Sequence, residues 1–361
     1  LAHMALVLTG KGEAVHQGKQ MKGMDALTAA KLLPLELREK EGLALLNGTQ
    51  AMTALASLAI WDALHLLKSA DIIAALTLEV LCAKPDSFDL RLYEVRPYSG
   101  HRLTAENINR LTRGSSCIGK KKIVQDGYSL RCIPQVHGAA KDAVQYVKSI
   151  VEIELNSATD NPLIFADTGG VLSSGNFHGQ PVAQAMDFLC MAVAELGSIS
   201  ERRIERLLNP ALNGGYPPFL AKNGGLNSGY MIAQYTAGSL ASENKILSHP
   251  ASVDSVSCSA SQEDHVSMGT IAARKARRVV RNVKYILAAE LMAAAQAVEF
   301  GTGSLGKGTK AAYELLRSKI PPLDEDRDLY LDMEKVASLI FNGELVRQTE
   351  RVSPIMPKID A

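Results

Sequence analysis

The sequence is poor in aromatic residues and has no surplus of either charge. Phe, Trp and Tyr make up 5% of the 361 residues, and 39 Lys and Arg are balanced by 38 Asp and Glu. Nucleic-acid-binding proteins neutralise phosphates with a basic surplus, so this balance argues against that class. The hydrophobic share of 47% is too high for a disordered chain and predicts a large core.

Several familiar patterns are also missing. The five cysteines form no C-x-x-C pair and are odd in number, which argues against a disulfide framework or a zinc site and predicts a reducing, cytoplasmic location. The histidines show no ligand spacing, so we expect no metal. No G-x-G-x-x-G, P-loop or G-x-S-x-G occurs, which leaves nucleotide binding and serine hydrolysis without support.

The beginning of the sequence and two uncharged runs bear on targeting. Leu1 is preceded by no initiator Met, basic segment or signal cleavage site, so we expect the downstream part of a longer cytoplasmic chain. Gly42–Trp61 and Asn223–Ser242 approach the length of a membrane helix. Both runs contain amide side chains, and we interpret them as buried helices rather than membrane spans.

Apolar residues return every three or four positions along most of the chain, which indicates amphipathic helices. The predicted helices are Leu37–Leu46, Gln50–Lys68, Ala70–Ala83, Ala139–Leu155, Val182–Leu208, Tyr230–Leu247, His265–Phe300, Lys310–Lys319 and Leu331–Leu345. The predicted fold is all-α, a large bundle of long helices in one elongated domain with little or no β structure. We divide it into a connector at 1–35 with a small hairpin near Glu13–Met24, a central bundle at 36–320, and a helical tail at 321–361.

Turn-rich segments between these helices hold or adjoin most of the unusual polar residues. Loops of this length in a compact domain are more often functional than idle, so they are the candidate active-site loops. They are Tyr98–Arg113, Gly114–Asp126, Thr159–Asn176, Asn209–Ser228 and Ser248–Ser261.

Two segments carry polar residues with more than one interpretation. Arg131 lies between apolar neighbours, where its guanidinium fits either a ligand carboxylate or an internal salt bridge. Tyr128 offers a phenolic donor or a packed core side chain. Asn47 follows an apolar run and could cap the helix after Gly48 or bind a ligand.

Two charged segments have structural explanations as well. The run from Gln262 to His265 places two carboxylates and an imidazole together, as the start of a helix would. A basic stripe between Arg274 and Lys284 has helical spacing and could bind an acidic partner, although it fits better a solvated face or contacts with acidic helices in an oligomer. The Ser173–Pro181 stretch allows close backbone approach through its glycines, or forms a tight turn before a helix.

In this order, these segments resemble the aromatic amino acid ammonia-lyase family, and most closely its members that act on histidine. The likeness covers essentially the whole chain. Its most specific motifs are Gln-Asp-x-Tyr-Ser-Leu-Arg-Cys-x-Pro-Gln-Val at 125–136 and Gln-Glu-Asp-His-Val-Ser-Met at 262–268. The resemblance implies a carbon–nitrogen lyase that converts L-histidine to urocanate and ammonia.

The resemblance also implies a cofactor and an assembly. Family members use a methylidene-imidazolone electrophile formed autocatalytically from an Ala-Ser-Gly tripeptide, and no Ala-Ser-Gly occurs in the 361 residues. We therefore expect an N-terminal segment outside this sequence to supply the electrophile, and this chain alone to be inactive. The family further implies a homotetramer whose active sites combine residues from several subunits.

Residue roles follow from the same resemblance. Arg131 would hold the substrate carboxylate, and Tyr128 would assist proton movement beside the electrophile. Asn47 would hydrogen-bond the electrophile or the amine, and Gln125 would support that network. Phe177 would pack on the electrophile and limit the access of water.

Substrate choice is assigned to Glu263, with Gln262 beside it in the substrate-binding group. The carboxylate would accept the imidazole N–H of histidine. Three alternatives stay open: a phenylalanine or tyrosine ammonia-lyase or aminomutase on the same scaffold, a member of the fumarase–aspartase superfamily, and a non-catalytic assembly subunit.

Overall fold

The chain forms long helices joined by extended loops, and the predicted all-α class is confirmed. The computed structural model describes residues 1–121, 123–301 and 303–355. Its helices are α1 (Ala2–Leu8), α2 (Gly23–Ala29), α3 (Glu41–Ala44), α4 (Gln50–Val80), α5 (Leu92–Val95), α6 (Ser99–Leu111), α7 (Tyr128–Arg131), α8 (Ile133–Leu155), α9 (Gln180–Leu208), α10 (Met231–Leu247), α11 (Gly269–Val298), α12 (Lys307–Arg317), α13 (Leu329–Phe341) and α14 (Glu344–Glu350). Short 3-10 turns lie at Asp86–Phe88, Pro218–Leu220 and Ser259–Ser261.

The β structure consists of two small antiparallel hairpins. The predicted hairpin is present as β1 (Glu13–His16) paired with β2 (Lys19–Lys22). A second one, β3 (Leu163–Phe165) paired with β4 (Gly170–Leu172), lies within a segment that the sequence analysis treats as a loop.

The centre of the bundle is made by α4 and α11. Every residue from 66 to 80 and every residue from 286 to 297 is buried, so these halves have no solvent face. A helix that is enclosed on all sides belongs in the core of a large protein. The core therefore surrounds the second halves of these two helices.

Helices α4, α9 and α11 run in the same direction. Gly179 before α9 and Gly269 of α11 both face Met52 in the first turn of α4. Near the other end, Glu290 of α11 binds Arg203 of α9 and accepts a hydrogen bond from Thr77 of α4. Between these levels α9 extends about 35 Å, at 1.5 Å per residue.

Helix α8 runs antiparallel to α9. Its first turns lie at the level of Arg203, since the ring of His137 is 3.4 Å from that guanidinium. Further along, Tyr146 packs with its ring centroid 6.0 Å from that of Phe188, which is near the start of α9. The segment that precedes α8 is therefore at the opposite end of the bundle from the starts of α4, α9 and α11.

Two predicted boundaries are wrong for identifiable reasons. The expected break between Gln50–Lys68 and Ala70–Ala83 is absent, because Ser69 is buried inside the continuous helix α4 and Lys68 reaches a partner, Glu350, at 2.6 Å. The Tyr98–Arg113 segment is mostly helix α6 rather than loop. Its apolar positions, Ala105, Ile108 and Leu111, are buried at three-residue spacing.

Other boundaries are corrected at the ends. The predicted helix at Leu331–Leu345 is divided into α13 and α14 at Gly343, which has a φ of +72°. The predicted helix at Leu37–Leu46 is reduced to the single turn α3. The division of the chain at residues 35 and 320 stays a prediction, and residues 356–361 of the tail lie outside the described residues.

Among the described residues, one helix, α9, is long and apolar enough to cross a membrane. Within its most apolar window, 61% is buried inside the protein. A core helix of a large bundle has these same properties.

Candidate active site

The starts of three long helices meet at one end of the bundle. A Cβ atom placed on Gly179 or Gly269 would lie 2.4 or 2.5 Å from Met52 Sδ, and Ser267 Oγ is 3.2 and 3.3 Å from the same two positions. Helix N-termini present unpaired N–H groups and a partial positive charge, which favours a negatively charged group nearby. We call this region the junction; it comprises 47–52, 173–180 and 258–269.

Asn47 lies at the junction, in the loop before α4. Its side chain is half-buried and does not cap the helix, because the N-cap is Thr49 and no side chain bonds there. Gly48 has a φ of +133°, and a Cβ on it would lie 2.5 Å from the Thr159 carbonyl oxygen. The capping interpretation of Asn47 is therefore not supported, and the loop passes close to the segment that leads to Phe177.

Two polar contacts hold this segment. Lys40 bonds the carboxylate of Asp160, and that hydrogen bond lowers the pKa of Asp160. Asn161 Oδ1 accepts the Ser174 N–H at 2.7 Å. Phe177 follows, half-buried, three residues before α9 begins.

Gln262 and Glu263 lie on the third loop of the junction, and both side chains are exposed. The Glu263 carboxylate accepts a hydrogen bond from Ser259 Oγ at 3.0 Å. The expectation that these residues begin a helix is wrong, because α11 starts only at Gly269. Three consecutive residues, 259–261, have φ between +50° and +66°, a strained conformation that often occurs at functional sites.

A histidine pair joins the second and third loops. His178 Nε2 donates to the His265 carbonyl oxygen at 3.1 Å, and the two rings are parallel with centroids 5.8 Å apart. The pair places the segments that carry Phe177 and Glu263 next to each other.

Gln125, Tyr128 and Arg131 come together at the other end of the bundle. Arg131 Nη1 donates to Gln125 Oε1 at 2.8 Å, and its guanidinium carbon lies 4.7 Å from the centroid of the Tyr128 ring. Tyr128 is 71% exposed, which contradicts a core position. We call residues 125–131 the arm.

Arg131 has hydrogen-bonding capacity to spare. Its Nε is buried without a partner, and within the described part of the chain no carboxylate lies within 4.0 Å of its guanidinium. The salt-bridge interpretation is therefore not supported. A guanidinium with free donors beside a phenolic hydroxyl is suited to a ligand carboxylate.

Two contacts with other parts of the chain hold the backbone of the arm. Asp126 is buried and accepts the Lys84 N–H at 2.7 Å. A Cβ on Gly127 would lie 2.2 Å from Arg206 Nη2 on α9, so the backbone of the arm rests against that guanidinium. These contacts fix the backbone on which Tyr128 and Arg131 are carried.

The predicted site residues thus form two groups in a single chain. Asn47, Phe177 and Glu263 belong to the junction, whereas Tyr128 and Arg131 belong to the arm, about 35 Å away along α9. A ligand that contacts both groups must lie between the junction of one copy and the arm of another.

Sequence reasoning gave no role at the junction to Met52 or His178, and it interpreted His265 as part of a helix start. One signal was present: Gly48, Gly179 and Gly269 each stand at or just before the start of a long helix. Close backbone approach at three helix starts predicts that those starts meet.

Three of the six basic residues of the stripe on α11 pair with carboxylates of neighbouring helices in the described part of the chain. The distances are 3.5 Å for Lys275 to Asp187 and 3.3 Å for Arg277 to Asp62, and Arg278 makes a close contact with Glu243. Half of the stripe therefore has partners within the chain, which the sequence interpretation did not include.

Comparison with known proteins gives a consistent result. The chain matches the family described as aromatic amino acid lyase over residues 1–318. It is 56% identical over 354 residues to histidine ammonia-lyase of Alkaliphilus oremlandii, covering 97% of this chain and 70% of that protein.

Solved structures agree on the fold. The crystal structure of histidine ammonia-lyase from Trypanosoma cruzi superposes with a TM-score of 0.92 at 41% identity, covering 100% of this chain and 71% of that one. Tyrosine aminomutase from Streptomyces globisporus also superposes with a TM-score of 0.92, at 40% identity, covering 99% and 72%. This chain belongs to the aromatic amino acid lyase family.

Proposed function

We propose that this chain is part of an ammonia-lyase that converts L-histidine to urocanate and ammonia. The observation that carries the proposal is the arm, where Arg131 has free donors, no carboxylate partner in the described part of the chain, and Tyr128 beside it. The 56% identity to a histidine ammonia-lyase supports histidine as the substrate.

The junction fits a methylidene-imidazolone electrophile. Three helix N-termini converge there, and the backbone at Gly179 and Gly269 packs directly against the Met52 side chain, where a Cβ would collide. Such a group would supply an electrophile that makes ammonia a better leaving group. Backbone N–H groups and the Asn47 amide would stabilise negative charge that develops there. No Ala-Ser-Gly occurs in this sequence, so the electrophile would come from polypeptide outside it.

The arm would bind and orient the substrate. The planar fork of Arg131 would hold the α-carboxylate through two N–H donors, and this fixes the direction of the side chain. Gln125 would hold Arg131 in place, and Tyr128 Oη would move a proton at the amine. At the junction, Phe177 would cover the reacting atoms and exclude water.

Glu263 would select the ring of the substrate. A carboxylate accepts the imidazole N–H of histidine, whereas the rings of phenylalanine and tyrosine offer no such donor at that position. The Glu263 side chain is exposed, and among the described residues its carboxylate accepts one hydrogen bond, from Ser259, so its second oxygen is available. Gln262, exposed beside it, would line the same pocket.

The separation of arm and junction leads us to propose a homo-oligomer, a tetramer as in the family resemblance, with active sites between copies. Each closed assembly repeats the same contact, so one arm–junction pair forms for every copy.

The experiment is an assay of the full-length product of the encoding gene. We expect L-histidine to give urocanate, followed by its ultraviolet absorbance, with little product from phenylalanine or tyrosine. Cinnamate or coumarate as the main product would indicate the phenylalanine or tyrosine alternatives. A β-amino acid product would indicate an aminomutase, and a folded oligomer that forms neither ammonia nor a β-amino acid from any of the three would indicate a non-catalytic assembly subunit.

A further inference from the structure

A network of ionisable residues connects the second halves of the central helices, where a bundle normally holds apolar side chains. The members of this network are Asp71 of α4, His137 and Lys141 of α8, Arg203 of α9 and Glu290 of α11. The exposed fraction is 6% for Lys141 and 0% for the other four.

Asp71 collects the donors on one side. Its Oδ1 accepts from His137 Nδ1 and from Lys141 Nζ, both at 2.9 Å, and its Oδ2 accepts from Asn107 of α6 at 2.8 Å. Lys141 also donates to Thr104 Oγ1 at 2.8 Å. One carboxylate therefore ties α8 to both α4 and α6.

Glu290 collects the donors on the other side. Arg203 binds it through two parallel hydrogen bonds, Nε to Oε1 at 2.6 Å and Nη2 to Oε2 at 2.8 Å. Thr77 of α4 and Ser200 of α9 add hydrogen bonds at 2.7 and 2.5 Å. This pair ties α9 to α11 and α4.

His137 joins the two halves. Its Nε2 is 3.4 Å from Arg203 Nη1, and a guanidinium nitrogen can only donate a hydrogen bond. Nε2 is therefore the acceptor, and Nδ1 carries the ring proton and donates a hydrogen bond to Asp71. A protonated ring would place an N–H opposite Arg203 and break this arrangement. Burial, the largest influence, lowers the pKa of His137 to about 4, and the ring is neutral at neutral pH.

The groups around His137 come from every helix packed against it. Asp71 and Arg203 come from α4 and α9, Lys141 comes from its own helix, and Glu290 of α11 lies beyond Arg203. Helix α6 contributes His101 against the next residue, Gly138, where a Cβ would lie 2.4 Å from the His101 backbone nitrogen. Helix α8 cannot slide along or rotate at this level without breaking several of these contacts.

Such a network is a poor source of stability, because desolvation of the charges offsets most of their attraction, and apolar replacements are often as stable. Buried ionic groups are best attested as devices that fix register. His137 lies six residues after Arg131, about 9 Å along the helix direction.

We propose that His137 is a positioning residue for the reaction. By bridging Asp71 and Arg203 it fixes the register of α8 against α4 and α9 and thereby holds Tyr128 and Arg131 where a substrate carboxylate meets them. This role for His137 rests on the proposed function of the arm. The contacts of the buried network are present whatever that function is.

The test compares three variants of the full-length enzyme. His137→Leu removes both contacts, whereas His137→Asn keeps a donor near the Nδ1 position for Asp71. Gln296→Leu is the control, since Gln296 is also fully buried, on α11, and its hydrogen bonds of 2.9 and 3.0 Å to the Leu323 backbone involve no residue of α8 or the arm.

We expect His137→Leu to lower kcat/KM for histidine by about 10- to 100-fold, mainly through a higher KM, because misplacement near 1 Å has effects of that order. His137→Asn should recover much of the loss. Gln296→Leu should reduce Tm while leaving kcat and KM within about twofold of the wild type. Equal kinetic losses in His137→Leu and Gln296→Leu would overturn the proposal.

Hydrogen exchange gives a readout that does not depend on the activity. His137→Leu, or His137→Asn if the first variant does not fold, should speed exchange of the amides at 125–136 selectively. Gln296→Leu should leave that segment protected. Unchanged exchange in the His137 variants would refute the positioning role even if the wild type produced urocanate, and selective exchange would support it even if no urocanate were formed.

Discussion

The two ends of the bundle are built in different ways. The junction is made of loops and helix starts that approach closely through glycines around the flexible Met52 side chain, with strained residues at 259–261. The arm is a short helix supported by Asp126, by Arg206 and by the buried network around His137. From this difference we expect the arm to offer a rigid surface to the proposed substrate carboxylate, and the junction to adjust when its partners are in place.

The largest expected effect is at the arm. Arg131→Ala should lower kcat/KM for histidine by about 10² to 10³-fold, since a charge-assisted fork to a carboxylate is worth several kcal/mol when desolvated. Helical circular dichroism and Tm should be unchanged. Arg131→Lys should recover only part of the activity because an ammonium cannot form the fork. Unaltered kinetics in Arg131→Ala would remove the carboxylate role.

Alanine at two glycines tests rigidity directly. At Gly138 the new Cβ would lie 2.4 Å from the His101 backbone nitrogen, which cannot move without shifting α6, so we expect a loss of about 3 kcal/mol in the free energy of unfolding. At Gly179 the collision is with the Met52 Sδ, the far end of a flexible chain, and about 1 kcal/mol is expected. Urea unfolding measures the loss of free energy of unfolding in both variants. Equal losses would show that the two ends of the bundle do not differ in rigidity.

Acid should weaken the network that supports the arm. The pKa of His137 is about 4 in the folded protein and 6.5 as its ordinary value, so between these values the unfolded chain takes up a proton that the folded chain does not. The contribution of His137 to the free energy of unfolding should be constant above pH 6.5 and fall by about 3 kcal/mol between pH 6.5 and 4.

Urea unfolding at several pH values measures this slope. His137→Asn should flatten it but leave some, because burial also lowers the pKa of His101. Burial would raise the pKa of Asp71, but Lys141 and His137 outweigh it and lower the value, so Asp71 adds a loss only below its ordinary range. A slope identical in wild type and His137→Asn would contradict the assignment.

A smaller effect is expected at the junction. Glu263→Gln should reduce kcat/KM for histidine by about tenfold, because an amide is a weaker acceptor for the imidazole N–H than a carboxylate. Phenylalanine turnover, if detectable, should change little. Equal losses for the two substrates would exclude Glu263 as the residue that selects the ring.

How much of this was predictable depends on the range of the contacts. The long helices and the β1–β2 hairpin follow from local periodicity, and Gln125, Tyr128 and Arg131 come together because they are within seven residues of one another. Helix α6 was missed because polar residues dominate its sequence, although Arg102 and Arg110 both pair with Glu106 along the helix.

The network and the junction could not be found in this way. Asp71 and His137 are 66 positions apart, as are His137 and Arg203, and only the antiparallel packing of α8 brings them together. His178 and His265 are likewise joined through a backbone carbonyl, a contact that residue types do not reveal. The distance between arm and junction also could not be predicted, because the sequence shows the motifs of both groups but not how the helices that carry them pack.

The central claim is that an arm and a junction from different copies build each active site. The most direct measurement mixes two inactive full-length variants, Arg131→Ala and Asn47→Ala, by co-expression with different tags and purification of assemblies that carry both. If sites form between copies, about one quarter of the sites in randomly mixed assemblies combine an intact arm with an intact junction, and urocanate production returns to that extent. Mixed assemblies that remain as inactive as either variant alone would contradict the claim.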